Sequence, residues 1–377
     1  MDISQFKAGR QVNQYQYKSF LPEFINREWI LSNPEISTLL EEATLKLGAL
    51  DAFSMIVPDV DTFIRMHIVK EATKSSKIEG TQTHIEEAIL KERDINPEKR
   101  DDWQEVQNYI EAMNNAIDEL THLPLSSRLF RKTHSILMQG VRGKYKQPGE
   151  YRKSQNWIGG SSLKDAIFIP PPWEEVGNLM SDLENFINNE QINVPHLIRI
   201  AIAHYQFETI HPFLDGNGRL GRLMITLYLV SHKILQQPTL YLSDFFEKNK
   251  ALYYDNLTVV RTKDNLTQWI RFFLVAVVET ARNGADTFKE ILSLRKEIED
   301  KRIITLGKRI PLAKEFIIYL YKNPVVTALG VEEDLKVSKQ TANTLIKDFQ
   351  RLEILREHTG FKRNRIFVFD EYIKLFN

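Results

Sequence analysis

The stretch His211-Pro212-Phe213-Leu214-Asp215-Gly216-Asn217-Gly218-Arg219-Leu220-Gly221-Arg222 gathers a base, a carboxylate, flexible backbone positions and two permanent cations within twelve residues. A neutral imidazole at His211 can take a proton from an attacking hydroxyl. Arg219 and Arg222, three positions apart, start on one face of a helix and carry guanidinium forks suited to phosphate. Gly216 and Gly218 let the backbone approach a ligand closely, and Asn217 is a natural N-cap for a helix whose first amides form an anion site. Asp215 would repel a phosphate unless a divalent cation lay between them, so its presence predicts Mg²⁺ bridging carboxylate and phosphate. A tight turn alone would account for the glycines, but it leaves the ordered His, Asp and two Arg unexplained.

The flanking elements must hold these groups in place. Leu197, Ile198, Ala201, Ile202 and Tyr205 precede the stretch at helical spacing, and Leu220, Leu223, Met224, Leu227 and Tyr228 continue it. The spacing predicts helix, short loop, helix. The loop resembles the signature of the Fic family, His-x-Phe-x-(Asp or Glu)-Gly-Asn-Gly-Arg-x-x-Arg, at every specified position. That resemblance implies transfer of a nucleoside monophosphate, usually AMP from ATP, to a protein Ser, Thr or Tyr hydroxyl. By position it makes His211 the base and Asp215 the Mg²⁺ ligand. Gly216, Asn217, Gly218 and Arg219 become the phosphate cradle, Leu220 and Gly221 complete the ATP-binding stretch, and Arg222 holds the distal phosphate.

Two further segments share the resemblance. Ser75-Ser76-Lys77-Ile78-Glu79-Gly80 is similar to the family's inhibitory motif, (Ser or Thr)-x-x-x-Glu-(Gly or Asn), which implies regulatory roles for Ser75, Glu79 and Gly80. A carboxylate paired with Arg222 would occupy the guanidinium that the γ-phosphate needs. The bland reading is a solvated glutamate before a capping glycine. Farther along, two β-prone runs, one through Trp157 and Ile158, the other Ala166 to Ile169, flank a glycine-serine turn and end at Pro170-Pro171-Pro172, which predicts a hairpin. In the family such a flap clamps the target by strand addition, placing Ile158, Gly159 and Gly160 against the substrate. Tyr253 and Tyr254 resemble an aromatic wall for adenine, and equally fit one core and one surface position of an ordinary helix. Some relatives carry an asparagine eight residues after the first tyrosine; here that residue is Arg261.

Around these motifs the chain reads as mainly α. Aromatics without helical period (Tyr15, Tyr17, Phe20, Phe24, Trp29) suggest an extended arm over the first thirty residues. Helices are expected from Glu35 to a stop at Gly48, from Asp61 to Ile78, then around Asp102 to Leu120, Leu125 to Met138 and Trp269 to Arg302. From Ile310 the pattern resets to short helices, a Ser338-capped helix exposing Lys339, Gln340, Asn343 and Lys347, and two strands around Gly360 with Lys362 and Arg363 between them. This resembles a winged helix, which serves DNA or protein partners. Thirteen Lys/Arg against nine Asp/Glu from Thr305 to Asn377 give it a mild basic surplus. The expected organisation is an N-terminal helical region over 1–110 carrying the inhibitory motif, a Fic helical core with a short β-hairpin flap over 111–300, and a winged helix over 301–377.

Composition excludes some classes. At 377 residues with 50 basic and 50 acidic side chains, no global field recruits nucleic acid or membrane. The absence of cysteine removes disulfides, thiolate metal sites and cysteine nucleophiles, and with no long apolar run it suggests a cytoplasmic protein. ATP, Mg²⁺, a protein target, a DNA or protein partner for the winged helix, and a second copy of the chain are the ligands and partners admitted. Removal of AMP at the same site, another nucleotide donor, and a DNA-binding regulator that senses nucleotide stand as alternatives.

Overall fold

The computed structural model describes residues 1–57, 60–140, 145–360 and 365–376. Where an extended arm was expected, the chain folds back as an antiparallel hairpin of β1 (Gly9–Asn13) and β2 (Lys18–Pro22), with Gln11 facing Phe20. The Phe20 amide points away from β1 and donates to the Ile169 carbonyl at 2.9 Å. The arm is thereby stitched to the segment ahead of the triple proline, and Tyr15 at its tip is open to solvent.

Helix α1 (Pro34–Ile56) begins at Asn33, whose Oδ1 accepts from the amides of Glu35 and Ile36, with Pro34 in the first turn. It does not stop at Gly48. A helical glycine costs about 1 kcal/mol relative to alanine, but Leu47 and Leu50 are buried on either side and Leu50 packs on Gly284 of a long helix alongside. Tertiary packing wins over local propensity. Next come α2 (Val60–Ile78), a single turn α3 (Ile85–Ala88), α4 (Arg100–Glu119), α5 (Ser127–Leu137) and α6 (Val176–Asn188). The expected boundary at residue 110 falls inside α4, which packs on both α2 and α5 and so marks no break.

The centre of the core is the pair α7 (His196–Ile210) and α8 (Asn217–Ser231), which are packed on nearly every face. Around them stand α9 (Ser243–Lys248), α10 (Lys250–Lys263) and the long α11 (Leu266–Glu297), where Trp269 donates through Nε1 to the Ala201 carbonyl at 2.8 Å. Helix α2 lies on α9 through a row of ion pairs: Lys70 and Lys74 reach Asp244 at 3.3 and 3.1 Å, and Lys77 reaches Glu247 at 2.9 Å.

Beyond α11 the helical run continues through Arg309, broken at Gly307, into α12 (Ile310–Lys322), β3 (Val325–Thr327), α13 (Ala328–Asp334), α14 (Lys339–Arg351), β4 (Arg356–Glu357), β5 (Ile366–Val368) and α15 (Asp370–Lys374). The three strands form an antiparallel sheet in the order β3-β5-β4. Ser338 caps α14 as expected, accepting from the Thr341 amide at 3.2 Å. The basic pair Lys362 and Arg363 lies outside the described residues. This C-terminal unit is not a separate bead. Phe63 of α2 meets Tyr321 at 5.5 Å between ring centres and His67 meets Phe376 at 5.0 Å, so the helix that ends in the Ser75 to Gly80 motif is also the unit's floor. Among the described residues, no helix is long and apolar enough to cross a membrane.

Candidate active site

Helix α7 ends at His211, which takes a left-handed conformation (φ 50°, ψ 61°) and donates its amide to the Phe207 carbonyl at 2.9 Å. The chain then loops to Gly216, whose φ of 75° opens α8. A side chain there would strike Met138, so Gly216 is the cap position and the expected cap, Asn217, lies one residue inside the helix. Its amide folds back instead, accepting from the Phe213 amide at 2.8 Å and donating to the Phe213 carbonyl at 2.9 Å. Losing both bonds strands the buried Phe213 amide, at about 1–3 kcal/mol, while the Phe213 carbonyl keeps a bond from Asn156. Asn217→Ala should therefore lower stability by about 2 kcal/mol or more, readable as a drop in thermal midpoint, and an unchanged midpoint would show that the clamp contributes little.

Three residues outside the twelve shape the loop, and sequence reading assigned them no role. Arg152, 1% exposed, donates to the carbonyls of His211 (3.0 Å), Pro171 (2.6 Å) and Ile210 (3.3 Å). Asn156 donates to the carbonyls of His211 and Phe213 at 3.2 and 2.9 Å. His134 stacks on Phe213 at 3.8 Å. Its Nδ1 accepts from the Gly149 amide at 2.9 Å, so Nε2 carries the proton and donates to the Asp215 carbonyl at 2.9 Å. Carbonyls without helical or strand partners were the available signal, since buried ones need donors.

The His211 imidazole makes no hydrogen bond through its buried Nδ1. Burial first, then the cationic Arg261 and Arg152, push it down to about 3, which leaves a neutral base at ordinary pH. The two arginines diverge. Arg219 pairs with Glu105 at 3.1 Å, while Arg222 points to the motif at the end of α2. Its Nε donates to Ser75 Oγ at 2.9 Å, and its Nη2 donates to the Ser75 carbonyl at 2.9 Å and to Glu79 Oε1 at 2.7 Å. Burial by itself would raise the Glu79 carboxyl, but Arg222, through charge and hydrogen bond, and then Arg219 hold it below the usual range. That carboxylate stands over Gly218, where any Cβ would collide with it. Gly80 follows with φ 110° and ends the helix.

A cleft of about 640 Å³ opens beside the loop, with Glu79, Gly80, Trp103, Met138, Asp215 and Arg219 in its wall; His211, Arg222, Tyr253 and Tyr254 are not among its lining residues. Asp215 is 48% exposed and its Oδ1 accepts from the Gly216 amide at 2.6 Å. Leu220 is fully buried. Gly221 gives its carbonyl to His204 at 2.9 Å, and the space a Cβ would need there is filled by Glu208. These two shape the helix from inside instead of facing a ligand. Tyr253 is also a core residue, donating its hydroxyl to His204 Nε2 at 2.9 Å, whereas Tyr254 is 37% exposed. The pair therefore divides as one core and one surface aromatic, with Tyr254 the member open to a base. The expected hairpin at Ile158 shrinks to one antiparallel bridge with Phe168. Gly159 and Gly160, with φ of 69° and 73°, turn the chain at once, and Asp165 ties the turn by accepting from the Ser161 and Ser162 amides.

Four histidines, His67, His204, His211 and His134, are held at about 3, 3, 3 and 4, each first by burial. The unfolded chain binds their protons near pH 6.5 and the folded chain does not, so stability falls as pH drops below that value. Glu208, raised to about 7 by burial, opposes this only between its ordinary range and pH 7. The thermal midpoint should fall steeply from pH 6 to pH 4, and a flat midpoint over that window would contradict these environments.

Residues 37–118 match the Fic/DOC family N-terminal model and residues 124–229 match the Fic/DOC family model. The chain belongs to the Fic/DOC family. Among curated Fic relatives, a protein named protein adenylyltransferase Fic from Culex quinquefasciatus is 34% identical over 125 residues, 33% of this chain and 22% of that one. A probable protein adenylyltransferase from Aquifex aeolicus is 41% identical over 88 residues, 23% of this chain and 26% of its own length. The match thus spans about a quarter or less of these relatives. A solved Fic family protein from Desulfovibrio desulfuricans shares the fold at a TM-score of 0.57 and 21% identity, covering 91% of this chain and 98% of that one. Fic-1 from C. elegans superposes at 0.53 and 21% identity, over 70% of this chain and 75% of the solved one.

Proposed function

We propose that this Fic protein transfers AMP from ATP to a side-chain hydroxyl of a protein and holds itself inactive through Glu79. The observation that carries this reading is the Glu79 carboxylate, seated over Gly218 at the start of α8 and paired with Arg222 at 2.7 Å, where a phosphate would find both a helix N-terminus and a guanidinium. The names of the Culex and Aquifex relatives support AMP as the transferred group.

In the proposed reaction the acceptor oxygen attacks the α-phosphorus, the new P–O bond forms as the α–β phosphoanhydride bond breaks, and pyrophosphate leaves. The hydroxyl proton passes to the neutral imidazole of His211. The first amides of α8 and the Arg219 guanidinium hold phosphate charge that develops in transfer. Asp215 offers one half-exposed carboxylate, which fits Mg²⁺ bound partly by phosphate oxygens and water, and among the described residues no cluster of three or more ligating side chains cages a metal. That ion would neutralise phosphate charge when bound. In the flap, the Ile158 amide and carbonyl both face Phe168, so the outward main-chain groups belong to its neighbours Trp157 and Gly159, and a target strand would pair there.

The direct test is to incubate the Glu79→Gly variant with Mg²⁺ and ATP and weigh the intact protein. Gain of AMP-sized units is expected, and no gain on itself or on added cell proteins rejects the transfer reading. A second reading, DNA binding by the C-terminal unit, draws on α14, which turns Lys339, Gln340 and Lys347 to solvent. Absence of retention on any duplex in a genomic fragment pool would reject it.

A further inference from the structure

Arg261, near the end of α10, makes contacts that none of the roles above uses. Its Nε donates to Thr209 Oγ1 at 3.1 Å and its Nη2 to the Glu208 carbonyl at 3.3 Å. It thereby grips the last turn of α7 just ahead of His211. The Cζ of the same guanidinium lies over the Phe168 ring, 3.9 Å from its centre. Phe168 is the residue that makes the flap's bridge: its carbonyl accepts from the Ile158 amide at 2.8 Å and its amide donates to the Ile158 carbonyl at 3.1 Å. Phe168 also meets Phe20 at 6.0 Å between ring centres, and the Phe20 amide bonds to the Ile169 carbonyl, so the bridged segment of the flap is fixed from the N-terminal hairpin as well.

Resting on the transfer reading above, we propose that Arg261 is a positioning residue: bonding the His211-bearing turn with its edge and Phe168 with its face, it sets the height of the flap over the imidazole and hence where an acceptor hydroxyl stands. A planar cation can serve two partners in this way because its hydrogen bonds lie in the plane while its attraction to an aromatic face is perpendicular to it. Lysine keeps the charge and loses the plane. Small errors in the separation of reacting atoms are costly to rate, whereas the bound nucleotide, held by α8, need not feel them.

The test uses full-length protein in the Glu79→Gly background, with three readouts: labelling by intact mass, affinity for a non-hydrolysable ATP analogue by calorimetry, and release of free AMP to water, which needs no flap. Arg261→Lys and Phe168→Leu should each slow labelling about tenfold or more, with analogue affinity within about twofold and AMP release retained. Phe168→Leu leaves both bonds from Arg261 to α7 in place, so it decides the matter even if the arginine variant folds poorly. Labelling at the parental rate in Phe168→Leu overturns the role, as does a loss of analogue affinity equal to the loss of labelling, which would make Arg261 a nucleotide residue. If the Glu79→Gly parent neither labels nor releases AMP, the transfer reading itself falls and this role with it.

Discussion

His211→Ala is expected to reduce AMP transfer by about 10²–10⁴-fold, the usual worth of a positioned general base, while ATP still binds. The imidazole can be lost without loosening the nucleotide because its Nδ1 has no hydrogen-bond partner in the protein and it does not line the cleft. Alanine in the left-handed conformation of residue 211 adds a backbone cost of about 1 kcal/mol, so His211→Asn, whose side chain tolerates that conformation, is the better companion. The two should be equally inactive and differ in thermal midpoint. With the base held at about 3, the acid limb of kcat/KM in the free protein should lie well below pH 6.5. Transfer undiminished in both variants would reject the assignment of the base, and an acid limb at an ordinary histidine value would reject its environment.

Glu79→Gly carries the second large effect, and it has two signs. The variant should label itself at least tenfold faster than the parent, since the pair at 2.7 Å no longer competes with phosphate for Arg222. Without nucleotide it should also be less stable, because a buried guanidinium loses its counter-charge and keeps only the two bonds to Ser75. ATP then replaces the missing anion, and the gain in midpoint on adding Mg²⁺ and ATP should be larger in the variant than in the parent. Equal labelling would remove the inhibitory role. Faster labelling without the enlarged ATP stabilisation would mean that Glu79 acts by some route other than the Arg222 seat.

How far the fold and site were legible depended on whether each residue's role was local. The helix-loop-helix around His211 and the pairing partner of Arg222 could be read because periodicity and an ordered motif carry them. The Asn217 clamp could not, since the same side chain serves as a cap or a loop brace according to where Gly216 takes its positive φ. Gly48 misled for the complementary reason: a local breaker was outvoted by Leu50 against Gly284, more than two hundred residues away in sequence. Arg152, Asn156 and His134 were not readable as loop supports from their own residue types, because what they hold is backbone; only the loop's unpartnered carbonyls signalled that donors were needed. Tyr253 and Tyr254 look alike in sequence, and only the buried His204 of α7 decides which hydroxyl is spoken for.

The space above Gly218 is too small for two guests. Because the Glu79 carboxylate fills the space directly above Gly218 and takes Arg222, on the proposed reading a terminal phosphate holds that guanidinium only when the acid has left it. Restraint and substrate then form one equilibrium, read as a ratio of occupancies and not as a graded slowing. A nucleotide too short to extend to that seat would be blind to it, and its affinity should be the same whether residue 79 is glutamate or glycine.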